Sequence, residues 1–302
     1  MNIGFISDYD EKSLKLASRF GFDCLEISAD KGTELDVDVL SDDDYKRVAE
    51  EREKYDISFD SVSCSSNHLI DDETQRKENN RYFIKLVKNA RKLGSGIVMT
   101  NAWADPKLSP EDNIPRYKEV FSEYARAAEV EGVRIVVENC AHVTDYPVTI
   151  GNISYGPEIW DAMFDAVPSK TIGIEYDPSH MLFLRLDYIK AIHDYGERIY
   201  ACHAKDAEID YERLGRVGIY GRRSDKNNGW RNGYWRFRMP GLGQIDWKGI
   251  FRALSDINYK GPMFIEHEDP VFDGARFEEG LWMGLRFLRT LAAPNPDKMG
   301  RL

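Results

Sequence analysis

Residues 110–142 read PEDNIPRYKEVFSEYARAAEVEGVRIVVENCAH. The segment opens with Pro110, which a first helical turn tolerates, and stays amphipathic and charge-rich to Glu131. A short apolar run follows at 133–138, then a polar end from Asn139 to His142. An apolar run this continuous suits a strand buried on both faces of a parallel sheet. The same alternation extends in both directions. Strand candidates precede it at 2–7, 23–28, 58–63 and 96–100, and follow it at 172–177, 198–203 and 262–266. Helix candidates fill the intervals at 11–20, 42–55, 72–93, 110–131, 156–166, 187–195 and 246–257, and one follows the last strand at 276–291. Eight strand–helix units in series predict an α/β fold, a closed (β/α)8 TIM barrel, as a single domain over 1–293. Residues 294–302 read as a frayed C-terminal tail.

The 302-residue length accommodates one such barrel. With 52 acidic side chains against 41 Lys and Arg, the formal charge of −11 opposes a nucleic-acid partner. The opening MNIGFISDYDEKSL has no basic segment before its apolar run, and no stretch reaches ~18 apolar residues. Neither a signal peptide nor a membrane span is expected, and a cytoplasmic location is. Cys24, Cys64, Cys140 and Cys202 are widely spaced and read as reduced thiols.

One connection is far longer than the rest. Residues 207–245, after the seventh strand, include Arg222, Arg223, Trp230, Arg231, Tyr234, Trp235, Arg236, Phe237 and Arg238. A merely solvated loop has little reason to carry so many aromatic rings. Loops after barrel strands lie on the active face, so a lid or substrate platform with Trp235 as a binding residue is expected. Its arginines could instead clamp a phosphate.

The chemistry concentrates at the C-terminal ends of strands. The third runs into Cys64-Ser-Ser-Asn-His68, the fifth ends Glu138-Asn-Cys-Ala-His142, and the sixth Glu175-Tyr-Asp177-Pro-Ser-His180. The seventh ends His203-Ala-Lys205-Asp206 and the eighth Glu266-His-Glu268-Asp269; of six histidines only His193 falls inside a helix candidate. A single carboxylate at a strand end is most often a cap, but four neighbouring strands ending this way is a different matter. Three carboxylates and one neutral imidazole converging on the axis would make a hard, oxygen-rich site. Such a site suits one divalent cation, Mn²⁺ first, with Mg²⁺, Co²⁺ or Zn²⁺ also accommodated. That ion could hold two vicinal sugar oxygens and polarise a carbonyl while a carboxylate removes the adjacent proton.

The motifs VVENC, EYDPSHM, CHAKD, PGLGQIDW and FIEHED, in that order, resemble the sugar phosphate isomerase/epimerase group of the xylose-isomerase-like barrels. The resemblance runs from Met1 to about Leu291. It implies Glu138, Asp177, His203 and Glu266 as metal ligands, with Glu138 and Glu266 exchanging the proton on either face of a keto sugar. It further implies His180 on substrate oxygens, Lys205 beside a negatively charged oxygen, and His68 and Trp103 along the pocket wall. Two departures stand out. His142, four residues past Glu138, could act as an additional base, and no arginine follows His203 where ketose epimerases place one. Lys205 and the aromatic loop look closer to the catalytic subunits of C-glycoside deglycosidases. That resemblance implies a 3-oxo-glycoside lyase working by metal-assisted elimination.

The expected partner is therefore a small-molecule sugar or glycoside, with a homo-oligomer or a small second subunit open. Phosphodiester hydrolysis on a related barrel would need a three-metal cluster and a basic groove, which six histidines and the net charge oppose. A non-catalytic sugar-binding barrel would be expected to have lost a member of the ligand set, whereas all four residues are present.

Overall fold

The computed structural model describes residues 1–143, 149–220 and 233–292. Eight parallel strands close into a barrel: β1 (Ile3–Ser7), β2 (Cys24–Ser28), β3 (Ser58–Ser63), β4 (Ile97–Thr100), β5 (Arg134–Glu138), β6 (Ile172–Tyr176), β7 (Ile199–Ala204) and β10 (Met263–Ile265). β1 pairs with both β2 and β10, which completes the ring and leaves no open edge in it. This is the expected TIM barrel, with strand ends within one or two residues of the sequence reading.

The helices of the outer ring are α1 (Glu11–Phe20), α2 (Asp42–Tyr55), α3 (Glu73–Leu93), α4 (Ile114–Glu131), α5 (Pro157–Ala166), α7 (Tyr188–Tyr195), α9 (Trp247–Asp256) and α10 (Phe277–Arg289). Short polar side chains start several of them: Asp10, Asp72, Asp187 and Asp246 each accept a backbone N–H of the first turn. Ser41 and Asp44 form a reciprocal capping box on α2. α1 ends at Gly21, whose φ of 80° lets its N–H return to the last carbonyls. A 3-10 turn at Glu111–Asn113 precedes α4, so the regular helix begins later than Pro110.

Two apolar layers result. The larger lies between strands and helices and includes Phe5, Leu25, Phe59, Tyr82, Phe121, Trp160 and Leu285. The smaller contains Cys24, Met99, Val136, Ala201 and Phe264. Two residues further along the same strands come Glu26, Asn101, Glu138, His203 and Glu266. Side chains two apart share a face of a strand, so an apolar plug supports a polar floor at the C-terminal end. All four cysteines are buried and free. Among the described residues no helix is long and apolar enough to cross a membrane.

The connection after β7 is more structured than the loop the sequence suggested. β8 (Asp206–Ile209) pairs antiparallel with β9 (Trp235–Arg238), and α8 (Tyr211–Val217) follows β8. Residues 222, 223, 230 and 231, like the tail 294–302, lie outside the described residues. Arg236 and Arg238 pair with Glu208 at 2.8 and 2.7 Å, and Arg238 also with Asp269 at 3.0 Å. Those two arginines serve the hairpin stem, which corrects their reading as a phosphate clamp. A six-residue helix, α6 (Pro178–Phe183), also went unread in the DPSHMLF segment.

Candidate active site

β5, β6, β7 and β10 deliver Glu138, Asp177, His203 and Glu266 to one point. One donor atom from each lies within 4.8 Å of all the others. His203 stands at the centre. Its Nδ1 is 3.1 Å from Glu138 Oε1 and 3.2 Å from Glu266 Oε2, while its Nε2 is 3.3 Å from Glu175 Oε2 and 3.5 Å from Glu26 Oε1. Strand register makes this possible, since Glu138 sits beside Glu175 and His203 beside Phe264. Asp177 divides its carboxylate: Oδ1 caps α6 by accepting from Ser179 N at 2.7 Å. Its Oδ2 is buried without a hydrogen bond and turned toward Lys205 Nζ, 3.3 Å away.

Lys205 is 1% exposed, and its ammonium also meets Glu266 at 2.6 Å and Glu268 at 3.1 Å. Burial alone would push its pKa down; Glu266, Glu268 and Asp177 hold it well above the usual lysine value. Burial likewise works against ionised Glu266, but Lys205 and His203 keep that carboxyl well below its usual range. Glu138 is also lowered, because the hydrogen bond and charge of His203 outweigh burial and the repulsion of Glu266. Burial pushes the Asp177 carboxyl up to about 7, against Lys205. Burial drives His180 down to about 3 and lowers His142 as well, so both imidazoles are neutral at pH 7.

These groups open onto a cavity of about 350 Å³, whose walls include Trp103, His142, His180, Trp235 and Phe237. His180 Nε2 lies 3.5 Å from Asp177 Oδ2 and 3.7 Å from Glu138 Oε1, with neither ring nitrogen hydrogen-bonded. The Trp103 ring packs on His142 at 4.1 Å, and its indole N–H donates to Ser65 O at 2.8 Å. Phe237 from the hairpin covers His180 and Lys205, at 5.3 and 4.6 Å. Trp235 stacks on Phe183 at 4.2 Å. Both rings also border a second, mainly apolar cavity of about 550 Å³.

His68 is the misplaced residue of the sequence reading. It is fully buried behind the cavity wall, at 2.6 Å from Thr100 Oγ1 and 2.9 Å from Tyr124 O–H, against the Phe83 ring. It follows strand three by five residues, and its ring is held at Thr100, the last residue of β4. Four residues were missed. Glu26 and Glu175 face His203 Nε2, Glu268 flanks Lys205, and Asn101 Nδ2 donates to Glu138 Oε2 at 3.2 Å. The strand alternation offered a signal for Glu175, which precedes Asp177 by two residues. The neighbouring Asp206 has a structural role: it accepts from Trp247 Nε1, Ile245 N and Gly241 N, which fastens the PGLGQIDW segment.

Three carboxylates and an imidazole nitrogen, with an orphaned buried oxygen on Asp177, fit a hard divalent cation. Cys140 also borders the cavity, but burial pushes its thiol well above the usual range, so it stays protonated. The donor set is thus one that could hold a cation, with carboxylates beside it that could exchange a proton.

Comparison with known proteins agrees with the barrel fold. An inosose dehydratase of Clostridium perfringens is 30% identical over 165 residues, an alignment covering 53% of this chain and 50% of the dehydratase. The chain thus matches about half the length of that relative. D-psicose 3-epimerase of Clostridium cellulolyticum H10, solved with D-tagatose, superposes with a TM-score of 0.70 at 18% identity over 96% of this chain and 99% of its own. The IOLI protein, solved with a bound zinc atom, gives 0.72 at 20% identity, covering 96% and 98%. At these identities the two structures establish the fold. The Xylose isomerase-like TIM barrel family matches residues 14–291, and the chain belongs to that family.

Proposed function

We propose that the protein is a divalent-metal-dependent sugar isomerase or epimerase that removes the proton next to a keto-sugar carbonyl. The observation that carries this reading is the meeting of Glu138 and Glu266 on one imidazole nitrogen, at 3.1 and 3.2 Å, at the floor of a polar cavity. Both carboxyls are held below their usual range. Two anionic bases at one sugar-sized floor suit removal of a proton from one face and its return to the other. The names of the relatives, an inosose dehydratase and a psicose 3-epimerase, support chemistry at a carbon beside a carbonyl.

Glu138, Asp177, His203 and Glu266 would hold the cation, which supplies Lewis-acid polarisation of the carbonyl and a seat for vicinal oxygens. One glutamate takes the C–H proton, and the electron pair moves onto the carbonyl oxygen. Lys205 stands where it can stabilise that oxygen's charge. Neutral His180 can donate to, or accept from, a substrate hydroxyl. Phe237 and Trp235 shield the site from water. Return of the proton to the same carbon gives the epimer; its return to the former carbonyl carbon gives the isomer.

A second reading has its own observation. The apolar cavity beside Phe183 and Trp235 would suit a bulky substituent on the sugar, as in a 3-oxo-glycoside lyase. There the same deprotonation expels a leaving group, and Lys205 could return a proton to it. Product analysis separates the two. The metal-loaded protein is offered ketohexoses and a 3-oxo-glucoside with an aromatic aglycone. Appearance of an epimeric or isomeric sugar supports the main reading; release of free aglycone with no sugar interconversion replaces it with the lyase.

A further inference from the structure

On the Nε2 side of His203 the barrel carries two carboxylates that the proposed chemistry does not use. Glu26 and Glu175 are 1% and 0% exposed, and none of their four carboxylate oxygens has a hydrogen bond among the described residues. The strand positions two residues before Asn101, Glu138, His203 and Glu266 are apolar: Met99, Val136, Ala201 and Phe264. Two buried glutamates in this setting call for a partner. The group turned toward both is His203 Nε2, at 3.3 Å from Glu175 and 3.5 Å from Glu26. That nitrogen is itself buried and short of hydrogen-bond geometry. Nδ1 of the same ring faces Glu138 and Glu266.

We propose that Glu175, backed by Glu26, is a positioning residue that accepts the Nε2 proton of His203 and thereby fixes the tautomer and tilt in which Nδ1 faces the metal site. The inference rests on the reading of His203 as a ligand through Nδ1. A ring nitrogen can bind a cation only through a free lone pair, and the hydrogen bond of the other nitrogen decides which one is free. Barrel geometry supplies the hold: Glu175 precedes Asp177 by two residues and pairs in register with Glu138, so its carboxylate meets Nε2 while Nδ1 faces the donors.

The test is long-range ¹H–¹⁵N correlation on ¹⁵N-histidine-labelled protein before and after Zn²⁺ is added, since the added ion must displace the proton of Nδ1 and leave that of Nε2, with the Zn²⁺ titration as a second readout. The expected result is a protonated, slowly exchanging Nε2 on His203 in the wild type. Glu175→Gln should preserve it, because an amide oxygen still accepts. Glu175→Leu should lose it and weaken Zn²⁺ binding by about 10–100-fold. Wild-type protein with His203 unprotonated at Nε2 overturns the proposal without any variant. So does a folded Glu175→Leu protein that keeps both the signal and the Zn²⁺ affinity. Protein that keeps the Nε2 proton but binds no Zn²⁺ leaves the tautomer assignment standing and removes the metal reading instead.

Discussion

Glu266 has two duties in the proposed chemistry, as metal ligand and as base, and its side chain is the most accessible of the four donors. Glu266→Gln keeps the shape and the contact with Lys205 while removing the base. Turnover should fall by about 10²–10⁴-fold with thermal unfolding and circular dichroism unchanged; wild-type turnover would remove Glu266 from the mechanism. His142 separates the two readings. If the two glutamates handle the proton, His142→Ala should cost less than about tenfold in kcat, whereas a loss of several orders of magnitude assigns the imidazole as the base for elimination. His68 has no such role, and its buried, neutral ring makes a stability prediction. Its folded pKa is depressed from 6.5 to about 3 by burial. The unfolded chain therefore binds more protons between those values, and stability is lost as pH falls from 6.5 toward about 3. Denaturant titrations should show this group contributing up to about 1.4 kcal/mol per pH unit in that window, a slope that His68→Gln removes. Sequence spacing made the four donors legible because each ends a strand. Glu26 lies mid-strand in β2 and Glu175 next to last in β6, and a single inward glutamate reads as a wall residue until a partner across the barrel is known.

At the scale of elements, the strand registers place the donors, and Gly173 on β6 illustrates how tightly. A Cβ there would lie 2.4 Å from both Arg198 O and the Tyr200 ring. Gly173→Ala should destabilise by about 1–3 kcal/mol in denaturant titration, the usual cost of overpacking, with metal affinity lowered as β6 shifts. No loss of stability would mean that β7 yields without strain. The β8–β9 hairpin belongs to the same scale. Truncating its Trp235 to Ala should raise KM for a glycoside with an aromatic substituent and leave KM for a free ketose unchanged. Equal changes for both would make the ring a general wall residue. The regular strands and helices were readable because apolar runs and 3.6-residue periodicity are local signals. The hairpin was not, since its strands are separated by 25 residues and pair through the tertiary fold. The six-residue α6 was hidden by its brevity and by Pro178, which reads equally well as a turn.

For the whole molecule, the barrel brings four sequence-distant strand ends into a volume where charge must balance. In the metal-free protein the balance rests on Lys205 and His203 against Glu138, Asp177, Glu266 and Glu268. Binding a divalent cation adds positive charge at the point where the carboxylates converge. Mn²⁺ at a hundredfold excess over its Kd should therefore stabilise the protein by about 2.7 kcal/mol, seen as a rise in Tm that a chelator reverses. The most direct test of the central claim is proton NMR of keto sugars in D₂O with Mn²⁺-loaded enzyme, after quenching and removal of the metal. The account predicts solvent deuterium at a carbon adjacent to the carbonyl, abolished by chelation and by Glu266→Gln. A substrate converted to product by the metal-loaded enzyme with no deuterium at that carbon would contradict it.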